Sequence, residues 1–80
     1  MERSTSDSLQ AKITNQKSVI AENIKRLRDE KGMSREDFCF YARISYQTMR
    51  LIDMGAHNPT LATLVQIADG LGVPLTQVLL

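Results

Sequence analysis

A run of polar side chains, Tyr46, Gln47, Thr48 and Arg50, follows a serine at position 45. The Gln47 amide carries a donor and an acceptor in one plane, Arg50 a fork of donors, and Tyr46 a ring with a hydroxyl at its tip. Such groups recognise a polar or anionic partner reversibly; they do not by themselves make or break bonds. The hydroxyls, the acids and the single His57 show no nucleophile–base spacing, and no glycine-rich loop cradles a phosphate. Cys39 is the one cysteine, which excludes an internal disulfide and a cysteine-rich zinc site and favours a reducing compartment. It reads as a core thiol rather than a redox sensor, and His57 as a loop residue or phosphate contact rather than a metal ligand. No enzyme activity, cofactor or metal is expected.

The elements that must position the polar run come from periodicity and caps. Eighty residues form one domain at most, with a small core that has to be aliphatic, since there is no Trp and only Phe38, Phe40, Tyr41 and Tyr46 are aromatic. After Met1, Leu9 and Ile13 are the only sizeable apolar residues of residues 1–18, which are expected to be a flexible leader or a weakly helical arm. A first helix is predicted from Val19, capped by Ser18, with Ile20, Ile24 and Leu27 as its apolar stripe and Gly32 as its stop. Ser34 caps a second helix whose first turn carries Glu36 and Asp37, and Phe38, Tyr41 and Ala42 continue it. Arg43-Ile44 is the turn, and Ser45 caps a third helix with Met49 and Ile52 inward, stopped at Gly55. Thr60 caps a fourth, with Leu61, Leu64, Ile67, Ala68 and Leu71 in its stripe and Gly72 at its end; Pro74 opens a short fifth, Leu75 to Leu80. The fold class is therefore all-α, a compact bundle of five short helices over residues 19–80.

Two short helices split by a tight turn, the second with a polar outer face, have the geometry that lays a helix in the major groove of duplex DNA while the first crosses the backbone. Cys39 and Ala42 supply small residues where the two helices cross. The net charge of +1 hides an asymmetry: seven of the ten Lys and Arg residues lie between Lys25 and Arg50, and none follows Gly55. No apolar run approaches the roughly 20 residues of a bilayer span and no signal core opens the chain, so a cytoplasmic protein without a membrane partner is expected.

With these residues in order, the chain resembles the phage-repressor-type helix-turn-helix proteins, the Cro/C1 or XRE-like family. The matching text is Ile20 to Arg28, Gly32-Met33-Ser34, Ile44-Ser45, Ile52 to Gly55, Asn58 to Leu61, Leu64, Ile67-Ala68, Leu71 to Val73 and Leu75 to Leu79. It departs from the family pattern at Arg35 (usually Gln), Cys39 (Ala), Arg43 (Gly) and Asp53 (Glu). The resemblance implies a lambda-repressor-like DNA-binding domain and a sequence-specific transcriptional regulator, a repressor. It assigns base contacts to Tyr46, Gln47, Arg50 and Leu51, where Gln47 would pair with adenine and Leu51 could make only apolar contact. Phosphate contacts would fall to Ser34, Arg35, Arg43, Ser45, Asn58 and Thr60, and Arg28 and Asp53 would form a structural ion pair.

So small a domain makes few base contacts alone, which implies a homodimer on two-fold duplex DNA. The apolar tail Leu75, Val78, Leu79 and Leu80 is its expected interface, unless it packs the Leu9/Ile13 arm. The competing class is a protein-interaction module, such as an antitoxin or anti-repressor, that keeps the fold without reading DNA. The face formed by Tyr46, Gln47 and Arg50 separates the two readings.

Overall fold

The computed structural model describes the backbone of residues 4–80 and side chains from residue 8 onward. It consists of five helices, α1 (Ser4–Glu30), α2 (Arg35–Ala42), α3 (Tyr46–Asp53), α4 (Leu61–Leu71) and α5 (Leu75–Leu79), with no strand among the described residues. The bundle is all-helical, as periodicity requires.

One boundary differs. Helix α1 does not begin at Val19 with Ser18 as its cap; it is continuous from Ser4, and residues 1–3 of the expected leader lie outside the described residues. No Gly or Pro interrupts Ser4 to Lys31, and Gln10, Ala11, Lys12, Gln16 and Lys17 are good helix formers. Leu9, Ile13 and Gln16 also prolong the Ile20–Ile24–Leu27 stripe at spacings of three and four. Two amides on this side of α1 fasten α5: Gln16 Nε2 donates to the Leu79 carbonyl and Asn23 Nδ2 to that of Val78, both at 2.9 Å. They satisfy carbonyls that the end of a five-residue helix leaves without partners.

The core joins Ile20, Ile24 and Leu27 of α1, Phe38 and Ala42 of α2, Met49 and Ile52 of α3, Ile67, Ala68 and Leu71 of α4, and Val78 of α5. Val78 is fully buried in this core, so it is not available to a dimer face. Leu75 and Leu79 are also packed against the core, and only Leu80 of the expected interface stands free in solvent. A helix this short has one apolar side, and folding the monomer uses it.

Four helix ends close by one device, in which an N–H two or three residues past the helix reaches back five residues to a carbonyl. Met33 bonds to Arg28, Ile44 to Cys39, Ala56 to Leu51 and Val73 to Ala68, at 2.9–3.1 Å. The motif needs one left-handed residue. Gly32, Gly55 and Gly72 provide it at φ 66°, 68° and 70°, whereas in the turn between α2 and α3 it is Arg43, at φ 60° and ψ 44°. A side chain in that region costs roughly 1–2 kcal/mol.

Helix α4 holds that turn in place. A Cβ on Gly70 would sit 2.7 Å from both the Cα and the N of Ala42, and 2.9 Å from the Tyr41 carbonyl carbon. The two backbones touch there, which leaves no room for a large side chain between them. Tyr41 is turned out to solvent and meets Phe40 edge to face with centroids 5.3 Å apart. One helical turn earlier on α4, Gln66 Nε2 lies 3.2 Å from the carbonyls of both Ala42 and Arg43.

Two substitutions test this junction by urea unfolding. Gly70→Ala gains about 1 kcal/mol of helix propensity, yet is expected to destabilise the protein by about 2–3 kcal/mol, because backbone rather than a flexible side chain has to move. Arg43→Gly relieves the left-handed cost at the expense of unfolded-chain entropy and is expected to stabilise by roughly 0.5 kcal/mol. A loss of stability there would show that the Arg43 side chain makes contacts worth more than the strain.

Candidate nucleic-acid interface

Helix α3 is positioned from both ends and from beneath. Ser45 Oγ accepts from the Thr48 N–H at 3.0 Å and donates to Thr48 Oγ1 at 2.9 Å, which fixes the first turn. Met49 and Ile52 anchor the inner side in the core. What remains outside is Tyr46, Gln47, Arg50 and Leu51, all exposed. Four side chains at the front and outer face of one rigid helix therefore share a surface. Thr48, half-buried, spends its hydroxyl on the cap.

The groups expected at phosphates divide by what their side chains already do. Thr60 Oγ1 accepts from the Thr63 N–H at 3.2 Å and shares a hydrogen bond with the Thr63 hydroxyl, so like Ser45 it is occupied in capping. Ser34 Oγ accepts from the Asp37 N–H at 3.0 Å, which leaves its proton free to donate. Arg35, Arg43 and Asn58 are exposed. The first-turn N–H groups behind these caps, including those of Leu61 and Ala62 on α4, have no intrahelical partner by helix geometry and suit an anion.

Beneath α3 lies a buried cation. Arg28 is only 6% exposed; its Nη2 is 3.8 Å from Asp53 Oδ2, its Nη1 donates to Met49 Sδ at 3.7 Å, and its Cζ stands 5.7 Å over the Phe38 ring. The two residues named as an ion pair thus meet, and the guanidinium also touches α2 through Phe38. Arg28 Nε and Asp53 Oδ1 are buried without a hydrogen-bond partner, so the pair is incompletely satisfied. Cys39, half-buried, donates to the same Met49 sulfur at 3.7 Å. Burial pushes its thiol upward, opposed by Arg28 and reinforced by Glu36 and Asp53, so it stays protonated at neutral pH.

Some participants escape sequence reasoning. Gln66 and Gly70 act on the turn from a helix remote in sequence; a glycine inside the α4 pattern was the available signal for close approach. Met54, 64% exposed, joins Arg35, Arg50 and Asp53 around an open depression between α2 and α3. His57 is half-buried with Nδ1 unpartnered. Among the described residues no group of three His, Cys, Asp or Glu side chains could share a metal ion, and no helix is long and apolar enough to cross a membrane.

Comparison with known proteins gives a consistent result. The family model described as "Helix-turn-helix" (HTH_3) matches residues 24–78. Over 57 residues the chain is 35% identical to an uncharacterized HTH-type transcriptional regulator, y4dJ, of Sinorhizobium fredii, covering 71% of this chain and 74% of that one. The wild-type restriction-modification controller protein C.Esp1396I superposes with a TM-score of 0.69 at 31% identity, over 72% of this chain and 76% of that one. The controller protein C.AhdI from Aeromonas hydrophila superposes at 0.74 over 78% and 94%; at 19% identity that likeness is one of fold.

The Arg28–Asp53 geometry predicts an asymmetric mutant cycle. Asp53→Ala strands a buried guanidinium and is expected to cost about 2 kcal/mol, less than a fully buried pair because the carboxylate is 23% exposed. Arg28→Met with Asp53→Leu removes both charges and is expected to recover most of that loss in urea unfolding. A double variant as unstable as the sum of its singles would refute the pairing.

Proposed function

Because the chain belongs to the helix-turn-helix family and is a DNA-binding transcriptional regulator, we propose that it reads a specific duplex sequence with α3 in the major groove and represses by occupying its site. The observation that carries this reading is the front of α3. A capped, core-anchored helix presents Tyr46, Gln47 and Leu51 outward with nothing folded over them. Gln47 pairs with adenine N6 and N7 through both halves of its amide, and Leu51 packs on a thymine methyl. Tyr46 supplies a ring and a hydroxyl at the helix entry. Around this reading edge, Ser34, Arg35, Arg43 and Asn58 hold phosphate by side chain, and Ser45 and Thr60 by the N–H groups of the turns they cap.

A single module of this size buries roughly 600–1,000 Å² on DNA, at the low end for specific binding. We therefore propose a homodimer acting on an inverted repeat in the cytoplasm, with half-sites about one helical turn apart. Val78 takes no part in its interface, being spent on the monomer core.

Selection of bound sites from a random duplex library tests the proposal, and enriched inverted repeats are the expected result. On the selected site, Gln47→Ala is expected to lose about 1–3 kcal/mol and to relax preference at one base pair while helicity by circular dichroism is unchanged. Absence of salt-dependent binding to any duplex would overturn the reading and favour a protein-interaction module.

A further inference from the structure

Arg35 opens α2 and Arg50 lies in the middle of α3, fifteen residues away, yet both line one open depression, together with Asp53 and Met54. Its volume is about 250 Å³, several times the roughly 30 Å³ share of a water molecule, so a phosphodiester group can enter. From this convergence we propose that Arg35 and Arg50 form a two-pronged clamp on a single backbone phosphate, and that Arg50 positions the protein on DNA instead of reading a base.

Three features support the assignment. The first is placement on α3. At about 100° per residue, Gln47 and Leu51 lie roughly 100° and 140° round from Tyr46, whereas Arg50 is only about 40° round. Asp53, about 60° beyond Arg50 on the side away from Gln47, lines the same depression as Arg35. With Met49 and Ile52 buried, Gln47 is the outermost position of α3. Arg50 stands to one side of it, toward Tyr46, Asp53 and α2, and Leu51 stands to the other. In a helix laid along the major groove, the base edges face its front and the phosphate ridge borders its flank.

The second feature is charge. Both arginines are exposed, and the ion pairs among the described residues are Arg26–Glu30 and Arg28–Asp53, so neither guanidinium is tied to a carboxylate of those residues. Asp53 would repel a phosphate were it alone, but Arg28 lies against it from the core side, 3.8 Å away. The buried ion pair thus leaves the two free guanidiniums as the uncompensated charges of the depression.

The third is chemistry. Two guanidinium forks from separate helices meet a tetrahedral oxyanion from two directions, which neither side chain does alone. Met54, 64% exposed beside them, gives apolar surface for the adjoining sugar. A guanine edge, by contrast, is planar and takes a single fork.

The clamp rests on the DNA-binding reading, and the test separates the two. The full chain and its Arg35→Gln, Arg50→Gln and double variants are titrated with the selected site and with an unrelated duplex over a series of salt concentrations. A shared phosphate predicts that each single variant weakens both duplexes by the same factor, about three- to tenfold, with base preference unchanged. The slope of log K against log salt then falls little in the singles and by about 0.9 in the double, one phosphate in total. A double variant whose slope falls by about 1.8 would mean two separate phosphates and overturn the clamp. Arg50→Gln relaxing preference at one base pair, with the slope intact, would make Arg50 a base reader and overturn it as well. In both of those cases the wild type still binds DNA; only a wild type that binds no duplex removes the underlying reading. Because both side chains are exposed, melting temperatures of the variants are expected to match the wild type.

Discussion

The contact on which the rest depends is the meeting of two backbones, α4 at Gly70 against α2 at Ala42. Helices of ordinary side chains pack with axes 8–10 Å apart; a glycine facing an alanine brings them closer, and the α2–α3 angle is then set by α4, not by the turn itself. The turn alone is a poor determinant, since its left-handed residue is an arginine. Gln66 completes the junction by donating to the carbonyls of Ala42 and Arg43, which the end of α2 leaves without helical partners. The strain at Arg43 persists because its neighbours on both sides are held. A functional helix is aimed by a residue 25 positions downstream of its own cap.

Arg28 holds the other side of the same helix. A charge in a core of this size is an expensive choice, and here it is imperfectly satisfied, with Nε and one Asp53 oxygen lacking partners. What it provides is connection. One guanidinium touches Phe38 of α2, Met49 of α3 and the carboxylate at the end of α3, so α1 carries a single side chain that senses both halves of the helix-turn-helix unit. An aliphatic residue could fill the space but would not distinguish the native angle from neighbouring ones; the ion pair does, because its attraction falls away when Asp53 moves.

Most of the fold was legible because its signals are local. Ser34, Ser45 and Thr60 each cap the helix they precede, Gly32, Gly55 and Gly72 each take the left-handed position, and the stripes of α1, α3 and α4 become the core except for Leu61, which at the first position of α4 is 68% exposed. The start of α1 is harder to read, because polar residues in its N-terminal half look like a leader when apolar spacing is weighed over propensity. Gln66 and Gly70 escape for a different reason: their partners are 23 to 29 positions distant, and no periodicity within α4 marks them. The outward face of α3 was readable residue by residue, whereas the convergence of Arg35 with Arg50 exists only after α2 and α3 are folded together.

The caps also redistribute the work of binding. Ser45 and Thr60 spend their hydroxyls on the first turns of α3 and α4, so any anion at those ends meets backbone N–H groups in fixed directions. Phosphate contacts carry no sequence information, so on the proposed reading discrimination is left to Tyr46, Gln47 and Leu51. One of those three reads only by apolar contact. A half-site read by so few groups distinguishes itself from random duplex by a modest factor, while the phosphate contacts lend strong, salt-dependent affinity to any duplex. Such an imbalance is workable if two copies must agree: a two-fold site multiplies the discrimination of each half, and the flank contacts then fix register at both halves at once. A monomeric use of the same surface would bind everywhere nearly as well as at its target, which is why the physical case for a dimer rests on the thin chemistry of α3.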